Sequence, residues 1–187
     1  MRTLSFRPAL TLRGRKFKGL RGWAGKPLHP PLTDTPVGAY VLAAAFDLIS
    51  ALGHGHDWSR DFYRAGSFVL IGGALVSVLA ALTGFWDWWK STEKGTQARR
   101  TVNAHAWTMV TVTVLVLVGI AVRVFGFWAE QSTPGIVLAI TLVIAGLTVI
   151  GGTIGGTLVF DYGFNVETAG DSPVWHPSEE DVFPGDH

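Results

Sequence analysis

The chain has 187 residues, 48% of them hydrophobic and 16% charged, with a mean hydropathy of +0.32. Soluble domains run near 25% charged, so this balance points to a membrane protein. The lack of cysteine excludes disulfides, thiolate catalysis, cysteine-held zinc and iron–sulfur clusters carried by this chain.

A net charge of +1 conceals an asymmetry: residues 1–28 carry eight Lys/Arg and no acid, and residues 160–187 carry seven Asp/Glu and no Lys/Arg. Residues 1–28 read as a basic juxtamembrane arm. Leu4, Phe6, Leu10, Leu12, Phe17, Leu20 and Trp23 interleave with its cations. Such an arm suits anionic lipid, at roughly 1 kcal/mol per basic group near the surface, or serves simply to set orientation. Nucleic acid is not an expected partner, because the arm is tethered to the bilayer and no nucleic-acid-binding fold accompanies it.

The stretch "GKPLHPPLTDTP", residues 25–36, follows the arm. Pro30 and Pro31 argue against helix, which places His29 in an extended segment. The first helix is expected to start at Thr33–Pro36, capped by Thr33, Asp34 or Thr35. The first apolar run, Pro36–Leu52, is short for a span and carries Asp47. Ala39, Ala43, Asp47 and Ala51 share one of its faces.

The second run covers about Arg64–Trp86, with Gly73, Ser77, Ala81 and Gly84 on one face. The third covers about Val102–Phe127 and the fourth about Gly135–Phe160. All three reach the roughly 20 apolar residues that a spanning helix needs. In the third, His105 and Arg123 are eighteen residues apart, five turns or about 27 Å along one face. Charges inside spans face the bundle interior, so Arg123 is expected to pair with Asp47 and to turn His105 inward. In the fourth, "VIGGTIGGT" holds the small-residue pairs Gly151/Gly155 and Gly152/Gly156, which suit close helix packing. Residues 167–187 read as an acidic, flexible tail. The fold class is therefore an all-α integral membrane protein: a four-transmembrane-helix bundle (29–166) between a basic arm and an acidic tail.

Besides the arm, loop 88–101 holds four basic residues, Lys90, Lys94, Arg99 and Arg100. The excess of basic residues on one side predicts a multi-pass protein of the cell (inner) membrane with both termini in the cytoplasm. That topology gathers polar groups at one end: His29, Asp34, Asp87, Asn103, His105, Thr157 and Asp161. Facing imidazoles across an apolar slot suit haem b, and His29, His105, Asp87 and Asp161 could instead hold a divalent metal. Hydrogen bonds that only lock the bundle are the plainer expectation. His54 and His56 read as exposed loop residues.

The segments "GKPLHPPLTDTPVG", "LAALTGFWDW", "RRTVNAHAWTMV" and "GGTIGGTLVFDYGFNV" together resemble the bacterial membrane family called domain of unknown function 2231. The match runs in the family's order from about Gly25 to Val166. The resemblance implies a four-helix membrane domain. In some relatives the module is joined to Rieske or c-type cytochrome domains, which implies electron transfer. The matching positions here are His29, Asp34, Asp87, His105, Gly155, Gly156 and Gly163. This chain has Thr157 where many relatives carry a histidine, which speaks against a third histidine ligand. No redox domain accompanies the bundle, so the expected electron partner is a separate protein. The short first span and the glycine stripes also leave room for a homo-oligomer.

Overall fold

The computed structural model describes residues 28–90 and 94–164. Residues 1–27, 91–93 and 165–187, which hold nearly all of the basic arm and the whole acidic tail, lie outside the described residues, and with them the lipid-binding and flexibility expectations. Four helices follow one another: α1 (His29–Leu52), α2 (Asp57–Lys90), α3 (Gln97–Val122) and α4 (Gly135–Phe160). A π-helical turn, Arg123–Phe127, continues α3. Each of the four is long and apolar enough to cross a bilayer.

α1 starts at His29 and not at Thr33–Pro36, so His29 lies on a helix and not in an extended segment. Pro30 and Pro31 occupy the first turn, where the absent N–H groups would have had no partner in any case. Pro36 is inside the helix and buried, costing it one backbone bond. With 24 residues α1 is about 36 Å long, so the short apolar run belongs to a full-length span. Thr96 caps α3 by accepting from Arg99 N at 3.1 Å. Gly55 (φ +90°) and Gly95 (φ +85°), in the links before α2 and α3, and Gly163 (φ +56°), after α4, take backbone conformations that L side chains resist.

The helices run up, down, up and down. α1 packs on α2 and α4, and α3 packs on α4 and α2. α1 and α3 are therefore diagonal partners across the bundle axis. Small residues let α1 and α2 approach closely: a Cβ on Gly73 would lie 2.6 Å from Ala39 Cβ, and one on Gly66 3.1 Å from Asp47 Oδ1. Gly119 plays the same part between α3 and α4, against Ile140 and Ile144. The centre of the bundle is closed by Tyr40, Ala43, Leu70, Val112, Val116 and Ile144. Large apolar side chains such as Phe68, Leu75, Leu82, Leu117 and Val149 point outward, the surface a bilayer covers.

Candidate functional site

The diagonal helices carry matched polar groups at both ends. His29 and Asp47 are eighteen residues apart on α1, as are His105 and Arg123 on α3. Both intervals are five helical turns, about 27 Å. The two histidines consequently meet at one end of the axis and the two charged residues at the other.

At the histidine end the ring centroids of His29 and His105 are 6.3 Å apart, with planes at 81°. His29 Nδ1 is 2.8 Å from Ala80 O on α2, and His105 Nδ1 is 2.8 Å from Gly151 O on α4. A carbonyl only accepts, so each Nδ1 carries the proton and donates it. In the neutral imidazole, each Nε2 then presents a lone pair. Neither Nε2 has a hydrogen bond among the described residues.

A glycine one turn beyond each acceptor makes room for the ring. A Cβ on Gly84 would lie 2.5 Å from His29 Cε1, and one on Gly155 would lie 3.1 Å from His105 Cε1. The two halves of the bundle thus use one device: an imidazole on one helix, and a carbonyl and a glycine four residues apart on the next.

The remaining polar residues of this end divide. Asn103 Oδ1 accepts from Trp88 Nε1 at 2.7 Å, bridging α2 and α3. Asp87 is buried near the end of α2. Thr157 bonds within its own helix, to Thr153 O. Asp34 and Asp161 are exposed. The described residues contain no group of three or more His, Cys, Asp or Glu able to share a metal ion, so the set His29, His105, Asp87 and Asp161 is not brought together. His54 and His56 are exposed, with His56 stacked on Trp58.

At the opposite end Arg123 Nη2 pairs with Asp47 Oδ2, and both side chains are buried. Arg123 Nη1 donates to Ser67 Oγ at 2.9 Å, and its guanidinium is 5.4 Å from the Tyr63 ring centre. Thr141 donates to Asp47 Oδ2 at 2.7 Å, and Thr133 to Oδ1 at 3.3 Å. Tyr63 Oη donates to Phe127 O at 3.0 Å, fastening the π turn to α2. Ser50 and Ser59 exchange hydrogen bonds between α1 and α2, and Thr133 N donates to Ser50 Oγ. Every helix contributes to this network, which fixes their register.

Sequence reasoning missed Ser67, Thr133, Thr141, Tyr63 and the Ser50–Ser59 pair. Hydroxyls at these levels on the faces opposite Asp47 were the available signal. The backbone acceptors Ala80 and Gly151 leave no mark of their own in a sequence.

Taken together, the fold is that of a multi-pass helical membrane protein with an axial histidine pair. Residues 25–168 match the profile of the family described as "Predicted membrane protein (DUF2231)", and the chain belongs to that family. No curated protein and no solved structure matches the chain.

Proposed function

We propose that this protein is a redox-associated membrane subunit that holds haem b between His29 and His105 and exchanges electrons with a separate partner protein. The observation that carries this reading is the imidazole pair with both Nε2 lone pairs unused. Two imidazoles sharing one metal, at about 2.0–2.1 Å per bond, hold their ring centres about 6 Å apart. The 6.3 Å separation fits that requirement. A backbone carbonyl on each Nδ1–H sets tautomer and ring orientation, as second-shell partners do for metal-bound histidines.

The absence of a carboxylate-rich cluster among the described residues favours a nitrogen-ligated group over a hard cation. Bound there, haem supplies reversible one-electron chemistry. The chain's own contribution is to orient both imidazoles and to surround them with packed helices. The charge asymmetry supports an inner-membrane setting with both ends in the cytoplasm.

The test is an optical spectrum of the full-length protein, purified after expression with ample haem. Dithionite reduction is expected to sharpen a Soret and an α band at one haem per chain. His29→Ala and His105→Ala each remove them. A colourless wild-type preparation sinks the proposal.

A scaffold reading without cofactor draws on the same bonds, because the histidines also tie α1 to α2 and α3 to α4. On that reading both substitutions lower stability, and the wild-type protein carries no chromophore.

A further inference from the structure

The two imidazoles are held by the same device, and its two copies align residue by residue. Ser77, Ala80, Thr83 and Gly84 on α2 correspond to Thr148, Gly151, Ile154 and Gly155 on α4. Ala80 or Gly151 supplies the carbonyl, and the glycine four residues on makes room for the ring. A hydroxyl stands three residues before each carbonyl and bonds within its own helix: Ser77 donates to Ala74 O at 2.8 Å, and Thr148 to Ile144 O at 2.7 Å. Three residues after the carbonyl the copies differ. There α2 has the hydroxyl of Thr83, and α4 has the hydrocarbon of Ile154.

Thr83 is buried, and its hydroxyl turns back along α2. Its Oγ1 lies 2.9 Å from Leu79 O and 3.1 Å from Ala80 O, so one proton is shared between the two oxygens. Ala80 O is also the acceptor for His29 Nδ1–H, at 2.8 Å. A carbonyl oxygen has two lone pairs. Ala80 and Gly151 each give one to the N–H four residues on in their own helix. Gly151 O keeps the other for His105, the one side chain bonded to it among the described residues. Ala80 O divides the other between His29 and Thr83. The two imidazole bonds have the same length, so the difference lies in the load on the acceptor.

Donation from Nδ1–H to a strong acceptor makes an imidazole more basic at Nε2. We propose that Thr83 is a positioning residue that weakens the hold of Ala80 O on His29 and leaves His29 the poorer electron donor of the two imidazoles. The pair is then unequal by one hydroxyl. The consequence for haem rests on the reading given above: a less basic ligand favours the reduced iron, so Thr83 keeps the potential higher than two fully polarised imidazoles would set. The competition for Ala80 O itself needs no cofactor.

NMR of the full-length protein, isotope-labelled at histidine and kept reduced, reads both Nδ1–H groups. Low-spin ferrous haem is diamagnetic, so the measurement serves with haem bound or absent. His29→Ala and His105→Ala assign the two signals by their loss. Thr83→Val keeps the branched shape and deletes the hydroxyl. It is expected to move the His29 Nδ1–H signal downfield, as a stronger hydrogen bond does, and to leave that of His105 in place. Thr83→Ser keeps the hydroxyl and is expected to hold the wild-type position. An unmoved His29 signal in Thr83→Val, or an equal shift of both histidines, overturns the proposal. So does a shift that Thr83→Ser shares, because the methyl and not the hydroxyl would then set the bond. In haem-loaded protein Thr83→Val is expected to lower the midpoint potential and Thr83→Ser to preserve it; an unchanged potential in Thr83→Val overturns the tuning role. A colourless protein whose His29 signal still moves sinks the haem reading alone.

Discussion

His29 and Gly84 are in a contact that admits no further atom: a Cβ on Gly84 would lie 2.5 Å from Cε1 and 2.8 Å from Nδ1 of the imidazole. The ring is held there by its bond to Ala80 O, one turn earlier on α2. Gly84→Ala is therefore expected to push the ring off its acceptor and to destabilise the protein by about 1–3 kcal/mol, the usual cost of overpacking. Gly155→Ala, at 3.1 Å from the His105 ring, needs a smaller adjustment and should cost less. Unfolding in mixed micelles measures the order; equal effects of the two variants would count against the contact as described.

The tandem glycines of α4 make a sharper contrast. A Cβ on Gly151 meets Met109 Sδ at 2.5 Å, whereas nothing lies within 4 Å of one on Gly152. Gly152→Ala is expected to be neutral or slightly stabilising, since alanine is the better helix former by roughly 0.8–1 kcal/mol. Gly151→Ala should cost stability, softened by the flexibility of the methionine. Melting temperatures of the two variants decide this, and a loss in Gly152→Ala would reveal a neighbour on that outer face.

Asp47 and Arg123 form the one buried ion pair among the described residues. Removing one partner strands a charge in a low-dielectric interior, so Asp47→Ala or Arg123→Ala should each cost about 3–5 kcal/mol. The double replacement Asp47→Leu with Arg123→Met removes both charges and should recover most of that loss. A double-mutant cycle on unfolding free energy measures the coupling. Additive losses would show that the two charges act separately.

Tyr63 holds the π turn through Phe127 O. Tyr63→Phe keeps the ring beside Arg123 and deletes one hydrogen bond, at about 0.5–1.5 kcal/mol. The loss should appear locally, as faster amide exchange at 123–127 with little change in α1. Uniformly faster exchange would instead mean that Tyr63 supports the whole bundle.

Much of the architecture is legible in the sequence because a membrane simplifies the code. Apolar length finds the spans, and the eighteen-residue interval from His105 to Arg123 places both on one face whatever the neighbours do. The start of α1 was harder. Two prolines read as helix breakers, yet at His29–Pro31 they lie in the one turn where a missing N–H is harmless. The histidines' partners were hidden for a different reason. Ala80 and Gly151 act through carbonyls that every residue has, and only helix geometry decides which carbonyl faces a ring. Nor does a glycine pair announce its direction, so Gly151/Gly155 and Gly152/Gly156 look alike on paper although one lines the interior and the other does not.

The apolar plug formed by Tyr40, Leu70, Val112, Val116 and Ile144 divides the axis between the imidazoles and the ion pair. A low-dielectric segment of this kind takes up most of any voltage across the bilayer. A charge arriving at the histidines would then cross little of the membrane field. Electrically, that end of the bundle would then sit close to one face of the membrane.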